Sequence, residues 1–221
     1  LIDTAEYYGG GHTEELVGKA LKKFKREEFF IISKVWPTHL HYDDVLKAAE
    51  NSLRRLELKH IDLYLIHWPN PNVPIEETVS ALERLVEEGK VRYIGVSNFS
   101  VQQLKEAIEA TRKHDIVANE VKYSVWDRRV ENELLPFAEQ NNVRIIAYTP
   151  LERGKSVKGT ILDEMAKRYG KTVNQIALNY LISMKAIPIP KAEKREHMIE
   201  NLGAVGWRIG EEDLNMIRRS L

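Results

Sequence analysis

What most constrains this chain is an alternation kept from end to end: a short β-branched or aromatic run, a few loop residues, then an amphipathic stretch. The runs are LID at residue 1, EFFIISK at 28, IDLYLIH at 61, VRYIGVSN at 91, DIVANE at 115, VRIIAY at 143 and AIPIP at 186. Most are almost continuously apolar, the pattern of strands covered on both faces, and strands of that kind pair in parallel. The stretches between them carry helical stripes. Leu46, Ala49, Leu53 and Leu56 recur at three- and four-residue steps, with Asp43 or Asp44 as the expected cap. Val79, Leu82, Leu85 and Val86 repeat the pattern before Gly89. Ser100 is an expected N-cap, Pro136 falls near the first turn of a helix, and Gly170 separates a helix over ILDEMAKRY from one over VNQIALNYLISM.

Strands alternating with helices over the whole length predict a parallel α/β sheet. Neither a Pro/Ser-rich linker nor a break in composition interrupts the series, so residues 1–221 read as a single domain. An open doubly wound sheet and a closed (β/α) barrel both satisfy the pattern. No Gly-x-Gly-x-x-Gly follows any strand, which counts against the open dinucleotide-binding sheet and favours the barrel.

Composition narrows the partners. Lys plus Arg and Asp plus Glu number 33 each and are interspersed, so no net field recruits nucleic acid or an acidic membrane. The chain has no cysteine, which removes disulfides, thiolate metal sites and a cysteine nucleophile, and which fits a reducing cytoplasm. No apolar run reaches the ~18 residues of a membrane span. The expected partner is a small molecule, and the expected state is a monomer or small homo-oligomer.

In a (β/α) barrel, chemistry gathers where the strands end at the C-terminal rim. Those ends are Asp3, Lys34, His67, Ser97 with Asn98, Glu120, Tyr148 and Lys191. All are polar, and the first three are ionisable. Tyr8 follows five residues after Asp3. A free phenol ionises near pH ~10, too high for easy exchange at neutrality. An ammonium 4 Å away favours the phenolate by roughly 4 kcal/mol at an effective dielectric of 20, and Asp3 supplies the counter-ion that Lys34 needs. His67 can hold a substrate oxygen. Taken singly, Lys34 reads as a solvated strand end, Asp3 as a turn residue, His67 as a core histidine and Tyr8 as cover for the barrel mouth. On consecutive strands, the four form an acid built to protonate an oxyanion. The HLH at His39 to His41 has metal-like spacing but is not read as a metal site, and the YYGGGH stretch reads as a loop over the rim.

The segments DTAEYYG, ISKVW, LIHWP, GVSNF, AYTPL and IPKA, in this order, resemble the aldo-keto reductases, NADPH-dependent enzymes on a (β/α)8 TIM-type barrel. The resemblance runs from the first residue nearly to the last. It implies a catalytic tetrad of Asp3, Tyr8, Lys34 and His67, with Tyr8 the proton donor and no metal involved. It also implies that Ser97 and Asn98 hold the nicotinamide carboxamide, that Tyr148 stacks on the ring, and that Leu151 joins the cofactor contacts. Lys191 would meet the phosphates, Glu200 and Asn201 the adenine, and Trp36 and Trp68 would line the substrate pocket. The expected reaction is hydride transfer between NADP(H) and a small aldehyde, ketone or alcohol. The alternative is a nucleotide-binding regulatory subunit of the same fold with little turnover.

The chain departs from the family pattern in three places. Glu120 stands where a glutamine is usual, and a carboxylate cannot donate to the carboxamide oxygen. Ala192 replaces a Ser/Thr, and His197 replaces an arginine that grips the 2′-phosphate; Lys194 or Arg195 is left to substitute, so NADH is also possible. The first βα unit of the barrel, some 30 residues, is absent ahead of LID, and the expectation is that the sequence lacks its natural N-terminus, with any C-terminal tail short or missing.

Overall fold

The computed structural model describes residues 1–152, 154 and 160–221. The chain divides into two compact units, Leu1–Asn119 and Glu120–Leu221. The first holds strand β1 (Ile2–Asp3), helix α1 (His12–Leu21), β2 (Ile31–Val35), α2 (Tyr42–Leu56), β3 (Ile61–Ile66), α3 (Ile75–Glu87), β4 (Val91–Ser97) and α4 (Val101–Ala110). Strand β5 (Ile116–Lys122) begins in the first unit and ends in the second. The second continues with α5 (Leu134–Gln140), β6 (Arg144–Tyr148), α6 (Ile161–Tyr169), α7 (Val173–Ser183), β7 (Ile187–Pro188), α8 (Arg195–Leu202) and α9 (Glu211–Ser220). The strands follow chain order, β1 to β7. Each of the seven apolar runs coincides with one of them, but β2 runs on to Val35 and β5 to Lys122, so Glu120 lies inside its strand and not at the end.

Pairing is parallel throughout the recorded registers: Asp3 lies opposite Ile32, Lys34 opposite Leu65 and Leu65 opposite Gly95. Strands β2 and β3 are buried at every position. A Cβ on Gly95 would stand 2.6 Å from the Ala118 carbonyl oxygen and 2.8 Å from Leu65, so only glycine fits where β4 passes there.

The helix stripes are real but differ in detail. In α2 the buried residues are Val45, Ala48, Ala49, Ser52, Leu53 and Leu56, so the face is turned off Leu46. Asp43 and Asp44 do not cap α2. They sit in its first turn, where the helix dipole favours them, while Glu77 accepts the Tyr42 N–H at 2.9 Å. Ser100 does cap α4, in a reciprocal box with Gln103, and Gly170 ends α6 in the left-handed conformation. Pro136 lies in the first turn of α5 as expected.

At the N-terminal ends of the strands, Asp62 is enclosed: it accepts from Arg26 at 2.5 Å and from the Ile31 N–H at 2.8 Å. Burial pushes this carboxyl up, but the Ile31 N–H and Arg26 outweigh it and hold it below the usual range. In the second unit, Glu131 accepts the hydroxyls of Tyr123 and Tyr180 at 2.7 and 2.8 Å, and burial with Glu131 pushes the Tyr123 phenol up.

Candidate active site

The parallel register brings four side chains of the first unit together. Asp3 ends β1, Lys34 lies one residue from the end of β2 and His67 follows β3. The ladder runs past Asp3, with the Thr4 N–H on the Ile32 carbonyl at 3.0 Å and the Glu6 N–H on the Lys34 carbonyl at 3.4 Å. The chain then turns through Tyr8–Gly11, where Gly9 and Gly10 take φ of 60° and 62°, a conformation that a side chain would oppose. This turn, followed directly by α1, carries the phenol back over β2.

Lys34 is fully buried. Its Nζ donates to Asp3 Oδ1 at 2.6 Å and to the Thr4 carbonyl at 3.2 Å, and lies 3.4 Å from the Tyr8 hydroxyl. Tyr8 is 36% exposed, so this group meets both a buried ammonium and the outside. The His67 ring is held edge-on by Tyr8 (centroids 5.6 Å, 83°) and by Trp36 (5.2 Å, 84°). Its Nδ1 is buried with no hydrogen-bond partner among the described residues, so ring packing sets its orientation. Burial first, and the Lys34 ammonium second, lower its pKa to about 4. The imidazole is therefore neutral at pH 7.

Asn98, with φ of 63°, donates through its amide to the His67 carbonyl and to Ser97 Oγ, each at 3.0 Å, tying the end of β4 to the end of β3. Trp36 stacks on Tyr7 (3.7 Å, 8°), whereas Trp68 is 44% exposed. His39 and His41 have acids beside them, brought in by the fold: His39 meets Glu6 and His41 meets Glu77.

In the second unit, Glu120 is buried on β5 and Tyr148 ends β6 half-buried. Burial, then the Glu120 carboxylate, pushes the Tyr148 phenol up. Leu151, Lys191, His197, Glu200 and Asn201 line one cleft of about 410 Å³ with Asn174 and Thr149. Lys191 pairs with Glu193 at 2.8 Å, and Glu200 accepts from Thr172 Oγ1 at 2.7 Å at the start of α7.

The sequence profile of the Aldo/keto reductase family matches residues 1–221. The chain belongs to this family. Among curated relatives, it is 34% identical over 226 residues to methylglyoxal reductase YeaE of Escherichia coli (strain K12), spanning 100% of this chain and 79% of that one. It is 36% identical over 218 residues to the glyoxal reductase of Bacillus subtilis (strain 168), spanning 98% and 76%. Among solved structures, the thermostable aldo-keto reductase Tm1743, crystallised with the inhibitor epalrestat, superposes with a TM-score of 0.94 at 50% identity, over 99% of this chain and 81% of that one. An aldo/keto reductase of Klebsiella pneumoniae, in complex with NADP and acetate, gives 0.90 at 37% identity, over 99% and 78%. The fold is accordingly the (β/α)8 TIM type of the aldo-keto reductases, and the chain is an oxidoreductase.

Two residues of the site's wall escaped the sequence reading: Tyr7, stacked on Trp36, and Glu6, whose carboxylate receives the Trp36 N–H at 2.6 Å. The signal was present in the doubled tyrosine of EYYG behind an acid, but nothing local says which of two adjacent rings turns inward.

Proposed function

We propose that this aldo-keto reductase reduces small aldehydes and ketones with NADPH, and that Tyr8 supplies the proton to the carbonyl oxygen. The observation that carries the reading is the buried Lys34 ammonium set between Asp3 at 2.6 Å and the hydroxyl of the part-exposed Tyr8 at 3.4 Å. Giving up its proton leaves Tyr8 a phenolate, which the ammonium stabilises at a range where little water screens it. Asp3 keeps the ammonium charged and in place. A neutral His67 can donate a hydrogen bond to the same carbonyl oxygen without competing as the acid.

NADP(H) is the cofactor of this oxidoreductase, and the residues suit it. The cleft at Leu151 and Lys191 combines a cation, an imidazole, acceptors and an apolar wall, a donor set fitted to a nucleotide with its phosphates. Ser97 and Asn98 offer hydroxyl and amide groups for a carboxamide, and the half-buried Tyr148 offers a ring face. The reduced nicotinamide supplies the hydride when bound. Trp36 and Tyr7 favour carbonyl compounds with flat or apolar bodies, and the dicarbonyl names of the two bacterial relatives suggest 2-oxoaldehydes as first substrates to assay.

Tyr8→Phe tests the assignment. Loss of reduced-cofactor absorbance with methylglyoxal should slow at least ~100-fold, within the span of general acid catalysis, while NADP+ still binds. Turnover within twofold of the unaltered chain would remove Tyr8 from the role.

A further inference from the structure

We infer that Glu6 is a positioning residue for the substrate pocket, fixing the Tyr7–Trp36 wall. This rests on the reading that Tyr8 and His67 form the reaction site. At the end of β1 the ladder has given Lys34 and Glu6 a main-chain bond, and the next donor along β2 is the Trp36 N–H. Main-chain pairing would require β1 to continue, but the chain has already turned toward Tyr8–Gly11. The Glu6 carboxylate takes the carbonyl's place, accepting the Trp36 N–H at 2.6 Å and meeting His39 Nδ1 at 3.0 Å, with its side chain only 9% exposed.

Packing alone does not hold this wall. Tyr7 is 56% exposed, and Tyr7 and Trp36 line a cavity of about 580 Å³ together with Gly9, Gly10, Asn51 and Arg55. With open space beside the stacked pair, the short bond to Glu6 is what sets where the end of β2 turns and hence where the indole stands. Losing an acceptor from a part-buried N–H frees the wall to rotate into that cavity.

The test compares Glu6→Ala, Glu6→Gln and Glu6→Asp with the unaltered chain, using benzaldehyde and propanal with NADPH. In Glu6→Ala, KM for benzaldehyde should rise about tenfold, KM for propanal less than threefold, and NADP+ affinity by fluorescence titration should not move. Glu6→Gln keeps an oxygen acceptor at the same reach and should restore most of the benzaldehyde KM. If Glu6→Ala fails to fold, Glu6→Asp, too short to reach Trp36, should give the same split. Equal losses for both aldehydes, no loss, or no rescue by glutamine overturns the inference. Failure of the underlying site reading looks different: the unaltered chain would be inert with both aldehydes, or Tyr8→Phe would match it.

Discussion

The two ends of strand β3 hold the same ingredients and use them in opposite ways. At its start, Asp62 is 2% exposed and accepts from Arg26 at 2.5 Å, from the Ile31 N–H at 2.8 Å and from Arg92 at 3.3 Å. At its end, His67 is buried with Nδ1 lacking a hydrogen-bond partner among the described residues, beside a buried Lys34 whose Nζ reaches one acid, the Thr4 carbonyl and the hydroxyl of the part-exposed Tyr8. The first arrangement is the more closed: the carboxylate meets its partners within the protein, although Arg26 Nε is buried without a hydrogen-bond partner among the described residues. The second leaves groups turned toward a reactant. Removing one partner of a buried ion pair is costly to folding, whereas an ion aimed at the hydroxyl of a part-exposed tyrosine is placed to assist a reaction.

The comparison breaks most readily through its two charges. Lys34→Met removes the ammonium while keeping bulk, and should cut turnover by roughly 100- to 10,000-fold. Asp62→Asn should leave kcat within twofold but lower stability by about 2–3 kcal/mol, because it removes the counter-charge of the Arg26 guanidinium, and the melting temperature should fall by roughly 5–10 °C. Steady-state assays and thermal melts on both variants decide. A tenfold loss of kcat in Asp62→Asn with the melt intact would show that the division between the two ends is false.

The ends should also titrate in separate windows. His67 has its pKa lowered to about 4 from 6.5. Above pH 6.5 neither state holds this proton. Between 6.5 and about 4 the unfolded chain takes it up and the native chain does not, so stability falls as pH falls, by about 1.4 kcal/mol per unit and up to about 3 kcal/mol. Asp62, held below its ordinary 3.8, contributes stability that is present above that value and lost only in stronger acid. Unfolding free energies from urea titrations should therefore drop by about 2 kcal/mol more between pH 7.5 and 5 in the unaltered chain than in His67→Gln. Equal drops would mean that His67 is not held neutral.

Much of this was legible because polar residues interrupt apolar runs. Asp3, Lys34 and His67 announce themselves by ending LID, EFFIISK and IDLYLIH, and period and turn chemistry gave the strands, the Ser100 cap and the Gly170 stop. What stayed hidden depends on partners remote in sequence. Asp62 reads as an incidental acid inside a strand until Arg26 is folded beside it, 36 residues away. Asp43 and Asp44 look like caps, yet the Tyr42 N–H goes to Glu77, 35 residues on. The pairing of Glu6 with Trp36 needs the register of β1 on β2 before it can be seen. Local rules find the elements and their ends; which carboxylate meets which N–H across the sheet is tertiary.

The smallest effect sharpens the closed end. Arg92 also approaches Asp62, but at 3.3 Å and with its side chain 57% exposed, whereas Arg26 is 21% exposed and donates at 2.5 Å. Solvent screens the outer pair, and holding a long side chain in one geometry costs entropy. Arg92→Gln removes a guanidinium whose carbon lies 5.8 Å from the Tyr93 ring centroid, and should cost no more than ~0.5 kcal/mol, against about 2 kcal/mol for Arg26→Gln. Double-mutant cycles with Asp62→Asn read the two couplings directly. Equal couplings would mean that enclosure by Arg26 and the Ile31 N–H is not what closes this end, and that Asp62 is instead balanced by the summed charge around it.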